Sequence, residues 1–394
     1  MKRDWKRLAD KQKQIVSDGF ASGNALICGD GSGSFFENYE GTKSADPRDT
    51  LREDTVFHLY SMTKVFTAVS AMKLYEQGLL DLDAPVKDFL PAFSKVSVFE
   101  NGKTRPAETE VTVGMLLSMT SGLSYFLSDG SGKAAEMAER WRKDLKEGRH
   151  WNTVRFANET ASVPLSFEPG TSYLYGLSHD VLGAVIEIIS GDGLDRFFEK
   201  NIFAPLGMKD TYFYGKIPER LKPKLASDTA FGKKGYENIP LLPRPVPIPA
   251  FEGTEDEEML SGGSGLVGTA RDYALFLQEM LAPEKGIISK KTIDFMTRPR
   301  LNKAQRARYN DPSGDPSISG PEHTFALGVR VQDKAAHQGS IGEWGWSGAL
   351  GTWFFVSPND GVWFVYMHQH SPANHDSFIA GLRDLFYDIL RNGR

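Results

Sequence analysis

At 394 residues the chain exceeds the usual range for one compact core, so two structural regions are expected. A formal net charge of -5 argues against the broad basic surface that nucleic-acid binding requires, while 40% hydrophobic and 25% charged residues are ordinary for a globular protein. The one cysteine, Cys28, excludes an intramolecular disulfide and a thiolate metal cluster.

The basic stretch Met1–Arg7 is followed by no apolar signal core, and no apolar run is long enough to span a bilayer. A cytoplasmic protein without membrane contact is expected. Trp5, Leu8, Ala9, Ile15 and Val16 then fall close to helical spacing. Asn24–Gly29 and Ser34–Tyr39 read as two strands joined by the turn residues Asp30-Gly31-Ser32-Gly33. Val65–Met72 is apolar nearly all round, as a buried helix should be. Further helical patterns cover Val111–Met119, Leu182–Ile189, Tyr273–Leu281 and Lys291–Met296. Between them Pro243, Pro245, Pro247 and Pro249 exclude a helix interior or a central strand and predict a surface loop. The acidic run Glu255–Glu258 reads as a second, solvated loop.

Near the end Phe325–Val331, Gly351–Ser357 and Gly361–Met367 read as strands, the last two joined by the turn Ser357-Pro358-Asn359-Asp360. Phe378, Leu382, Leu385, Phe386 and Ile389 mark a terminal amphipathic helix. Strands at both ends of a helical middle predict an α+β fold: a discontinuous sheet domain (1–75 and 322–394) and a mainly helical domain (76–321), with an active site between them.

Two Ser-x-x-Lys patterns lie in one predicted helix, Ser61-Met62-Thr63-Lys64 and Ser70-Ala71-Met72-Lys73. A serine hydroxyl becomes a good nucleophile only when a base removes its proton, and a lysine three residues on shares its helix face. Such a lysine must be neutral to act, a state that burial favours. Ser61 falls near the helix N-terminus, where free backbone N–H groups bind an oxyanion. Ser70 lies about 180° around the helix from it, and Lys73 sits near the helix end, reaching for solvent. By itself Ser61 would read as an N-cap.

The stretch Val56–Val86 closely resembles the nucleophile region of the serine β-lactamase-like superfamily, which includes class C β-lactamases, penicillin-binding DD-peptidases and family VIII carboxylesterases. Val111–Leu123, Glu168–Tyr175 and Ser261–Tyr273 resemble later segments of that superfamily in the same order. The resemblance implies a β-lactamase/transpeptidase-like fold, with Ser61 as acylated nucleophile, Lys64 as its proton partner and Tyr175 as the tyrosine that moves protons to the leaving group. Tyr173 is implied to be a packing aromatic.

Departures from the pattern select among the relatives. The second motif, Tyr-x-Asn in β-lactamases and peptidases, is Tyr175-Gly176-Leu177 here, and leucine forms no hydrogen bond. The Lys-Thr-Gly region is matched by Gly345–Thr352 and lacks the lysine that attracts a substrate carboxylate. Trp346-Ser347-Gly348 resembles family VIII carboxylesterases, and an uncharged ester suits such a site better than an anion. Leu177, Trp346, Ser347 and Gly348 are therefore expected to contact substrate, and the backbone N–H groups of Ser61 and Ala349 to hold the oxyanion. The expected activity is hydrolysis of small or short-chain esters, with weak β-lactam hydrolysis in addition. A β-lactamase or D-amino-acid peptidase, an acyltransferase using the same acyl-enzyme, and an inactive binding protein remain alternatives.

No cofactor is implied. His368-Gln369-His370, with His375 and Asp376 nearby, lacks a third ligand at a spacing that fixes metal geometry and reads as a solvated strand end. His337 is placed either near the cleft or in a surface loop. Gly345-Trp346-Ser347-Gly348-Ala349 lacks the final glycine of the α/β-hydrolase nucleophile turn, so that fold is rejected.

Overall fold

The computed structural model describes residues 3–125, 131–233, 235–239, 259–311, 321–336, 339–373 and 375–393. The proline-rich loop, the run Glu255–Glu258 and His337 lie outside the described residues.

The chain opens with helix α1 (Lys6–Ser17), whose Leu8, Gln12 and Ile15 turn inward at helical spacing. Strands β1 (Gly23–Asp30) and β2 (Gly33–Gly41) follow as a hairpin. The same sheet takes five strands from the other end of the chain: β6 (His323–Phe325), β7 (Arg330–Gln332), β8 (Trp344–Gly348), β9 (Thr352–Ser357) and β10 (Val362–Met367). Among the described residues its order is β6-β7-β8-β9-β10-β1-β2, with every pairing antiparallel. One sheet is thus assembled from both ends of the chain, as the patterning implies.

Alternation along the strands gives the sheet two apolar faces. Leu26, Cys28, Phe355, Phe364 and Tyr366 pack with Leu8 and Ile15 of α1 and with Leu382 and Phe386 of the terminal helix α7 (His375–Asn392). Ala25, Ile27, Phe354, Trp363 and Val365 face the larger core. That face is covered by α6 (Ala270–Leu281), started by Thr269, whose side chain accepts from the Asp272 N–H.

The reading of Phe325–Val331 as one strand is corrected: the chain turns at Gly328, which has a φ of +85°, and the segment forms parts of β6 and β7. The Trp346 motif does not merely precede a strand; it lies within β8. A small second sheet, β3 (Val56–His58) with β5 (Leu266–Thr269) and β4 (Tyr212–Phe213), is present, its strands unmarked by the mainly helical pattern of the middle segment. Helices α3 (Lys133–Lys146) and α4 (Thr153–Thr160) also join the predicted set.

Helix α2 (Thr63–Glu76) runs through the middle of the core, and every residue from Thr63 to Met72 is buried. Phe66 contacts Phe203, Tyr273 and Phe276 at ring separations of 5.5, 5.4 and 4.4 Å. Helix α5 (Ser178–Ser190) packs beside it. No helix among the described residues is long and apolar enough to cross a membrane.

Candidate active site

Ser61 sits in a single 3-10 turn, Tyr60–Met62, between β3 and α2. Tyr60 holds a φ of +46°, a strained conformation for a residue with a side chain, and its phenol donates to buried Asp228 at 3.2 Å. The end of β8 closes on this turn from the side. A Cβ at Gly348 would stand 2.3 Å from the Leu59 carbonyl oxygen, so only glycine permits the approach. Thr352 donates its hydroxyl to that same oxygen at 3.2 Å.

The Lys64 side chain is fully buried and its Nζ has three oxygen partners. It reaches Ser61 Oγ at 3.2 Å, the Tyr125 hydroxyl at 2.9 Å and the Gly263 carbonyl at 2.7 Å. Helical spacing therefore delivers the expected serine–lysine contact. The second Ser-x-x-Lys copy is sealed away: the Ser70 hydroxyl is fully buried without a partner among the described residues, and Lys73 donates to the Ile287 carbonyl at 3.0 Å.

Tyr175 presents its ring to Lys64, with Nζ 4.7 Å from the ring centre. Its hydroxyl accepts the Trp346 indole N–H at 3.1 Å. Tyr125 stands edge-on to Tyr175 at 5.6 Å. Two phenols thus border the Lys64 nitrogen, and Tyr125 was missed in the sequence because it follows the recognisable Thr120–Leu123 turn in a loop with no periodicity. Tyr173 is buried against Tyr309 and Phe325, as a packing aromatic should be.

The residues expected to contact substrate divide. Leu177 is fully buried among Trp141, Trp151 and Phe156, in the cluster that supports Tyr125 from behind, and shows no surface to a cleft. Trp346 is also closed off, edge-on to Phe325 and against the Tyr175 ring. Ser347 and Gly348 lie on β8 beside the turn that holds Ser61. Ala349 begins the following turn, where Leu350 has a φ of +65°. Both backbone segments expected to supply oxyanion donors, at Ser61 and Ala349, thus carry a neighbouring residue in a strained conformation.

Below the lysine, α5 carries two buried ionisable groups. Burial, aided by the Lys64 charge, holds His179 well below the usual histidine range. Burial raises the Asp180 carboxyl, opposed by Lys64 and by hydrogen bonds from Ser261 and Gly263. His368 and His370 are not solvated: both are buried, paired with Tyr366 and Thr229 at 3.1 and 3.0 Å. Among the described residues no group of three His, Cys, Asp or Glu side chains is placed to hold a metal ion.

Fold and site together define a serine β-lactamase/transpeptidase-like protein. A family model described as "Beta-lactamase" matches residues 8–387, and the chain belongs to that family. The lovastatin esterase of Penicillium rubens is 27% identical over 407 residues, covering 97% of this chain and 98% of the relative. Esterase EstB of Burkholderia gladioli is 29% identical over 342 residues, covering 82% and 79%. The structure of EstCE1, described as a hydrolase with promiscuous acyltransferase activity, superimposes with a TM-score of 0.78 at 24% identity over 97% and 98% of the two chains.

Proposed function

We propose that the protein is a carboxylesterase that hydrolyses small, uncharged esters through an acyl-enzyme on Ser61. The observation that carries this reading is the Trp346–Tyr175 pair: where the resemblance expects an anion-attracting lysine, an indole donates to the tyrosine hydroxyl. The names of the two esterase relatives support the same reaction class.

In the proposed course Lys64 takes the Ser61 proton as Oγ attacks the ester carbonyl carbon. The resulting oxyanion is held by the N–H groups of Ser61 and Ala349, beside Ser347 and Gly348. The carbon–oxygen bond to the alcohol then breaks as Tyr175 gives its phenolic proton to the leaving oxygen, and Lys64 passes the proton it took to the phenolate, which restores both groups. Water repeats the sequence in reverse, and the carboxylic acid departs. Tyr125 keeps Lys64 hydrogen-bonded while its proton moves. No cofactor or metal enters any step, and an alcohol replacing the water would make the product a new ester.

A panel of aryl esters of rising chain length and a chromogenic cephalosporin, run on wild type and Ser61→Ala, tests the proposal. Short-chain esters should turn over fastest, and Ser61→Ala should lose essentially all activity while staying folded. Efficient cephalosporin opening with no ester turnover would overturn the esterase reading.

A further inference from the structure

The shortest of the three Lys64 contacts is to an atom that takes no part in proton transfer. The Gly263 carbonyl neither gives nor accepts a proton at working pH, so its effect is to fix the position of Nζ. Its own direction is set from α5. The Gly263 N–H donates to Asp180 Oδ1 at 3.2 Å, and the Ser261 hydroxyl donates to the same oxygen. Ser261 Oγ in turn accepts the Ser264 N–H at 3.0 Å. The segment lies flat on the helix: a Cβ at Gly263 would stand 2.5 Å from Asp180 Oδ2, and one at Gly262 2.5 Å from the His179 carbonyl oxygen. From the other side Thr67 donates to the Gly262 carbonyl at 2.7 Å. Ser261–Gly265 is therefore clamped between the helix bearing Lys64 and the helix that follows Tyr175.

We infer that Asp180 is a positioning residue, whose carboxylate orients Gly263 so that its carbonyl holds Lys64 Nζ in front of Ser61. This rests on the reading of Ser61 and Lys64 as the reacting pair. Asp180 lies on the first turn of α5, five residues after Tyr175, so one helix end sets both the phenol and the lysine nitrogen. The side chain is 1% exposed and accepts its hydrogen bonds from Ser261 and Gly263, while its charge also acts on Lys64 directly, which separates its role from that of a group meeting substrate.

The test compares wild type, Asp180→Ala, Asp180→Asn, Ser261→Ala and Ser61→Ala on a short-chain aryl ester, with the rate of Ser61 labelling by a fluorophosphonate as second readout. Displacement of a reacting group by an ångström lowers rates roughly 100-fold, so Asp180→Ala should lose about 10–100-fold in kcat and in labelling rate with KM nearly unchanged. Asp180→Asn keeps an oxygen that accepts both hydrogen bonds and should restore most of the loss. Ser261→Ala, which retains the carboxylate and the Gly263 contact, should lie between Asp180→Ala and wild type. Wild-type kcat in Asp180→Ala, or Asp180→Asn as poor as Asp180→Ala, would overturn the inference. If Asp180→Ala does not fold, a loss of about tenfold or more in kcat in Asp180→Asn, which keeps both acceptor contacts, overturns it instead. Turnover by Ser61→Ala would refute the site assignment itself, whatever the Asp180 variants do.

Discussion

Two tyrosines border Lys64 in different ways, and substitution should separate them. Tyr175 is paired with Trp346 and faces the lysine with its ring, whereas Tyr125 is in direct contact with Nζ. If Tyr175 delivers the leaving-group proton, Tyr175→Phe should lower kcat by at least about 100-fold, the usual size for a proton-transfer group. Tyr125→Phe removes one hydrogen bond to the Lys64 nitrogen and should cost up to about tenfold. Steady-state kinetics on one aryl ester compare the two, and equal losses would contradict the division of roles. Farther back, burial raises the Asp228 carboxyl to about 6, opposed by its bond from Tyr60. The folded protein therefore holds this proton up to about pH 6, whereas an unfolded chain releases it near 4. Between those values the folded state binds more protons, so this group's contribution to stability falls as pH rises, by at most about 3 kcal/mol. Asp228→Asn should gain melting temperature relative to wild type between pH 4 and pH 7, and melts across that range measure it. A constant difference would contradict the assignment.

At the level of elements, the turn after β8 is built with no spare space. Gly351 has a φ of +111°, and a Cβ there would stand 1.7 Å from His368 Nε2, within a fully buried ring. Gly351→Ala should displace the Ala349 backbone, lowering both melting temperature and kcat, with a stability loss of about 1–3 kcal/mol typical of overpacking. Turnover at the wild-type rate would show that Ala349 is not needed where it stands. Much of this level was legible in the sequence. Helix α2 is legible as a run apolar nearly all round, helices α5 and α6 as apolar periods, and β9 and β10 are dense in aromatic and β-branched residues. Strand β8 was not legible, because Gly345 and Gly348 dilute its pattern and glycine carries no strand preference. The hairpin inside Phe325–Val331 hid behind continuous apolar character, its turn depending on one glycine. Strands of two to four residues, such as β3 and β4, are too short to show a period. Within the site, Ser61 and Lys64 share a local spacing that sequence displays. The Tyr125 and Gly263 contacts arise from tertiary packing across 61 and 199 residues and have no local signature.

Over the whole molecule, the terminal helix is tied to the sheet by a buried charge cluster. Glu343, 1% exposed, accepts from Arg383 at 3.0 Å and from the Tyr387 hydroxyl at 2.6 Å, and Arg383 also donates to Gln332 at 2.7 Å. Removing one partner of such a pair leaves a buried charge uncompensated and typically costs about 3–5 kcal/mol. Arg383→Ala should lower stability by that order while leaving Ser61 labelling near wild type at low temperature, as denaturant titration and labelling together would show. Loss of labelling in a folded variant would place the cluster within the catalytic machinery.

The sheet that joins both ends of the chain also sets an order of events during synthesis. In the ladder Ala25 faces Met367, so β1 waits until the segment through residue 367 has been translated before its second neighbour exists. Until then Ser61, Lys64 and both tyrosines have been made, but β8, which closes on the Ser61 turn, has no finished sheet to belong to. Nascent chains halted before residue 362 should present an open strand edge to chaperones and resist fluorophosphonate labelling. Reactivity at Ser61 would then emerge late and abruptly, as a report that the last strand has arrived.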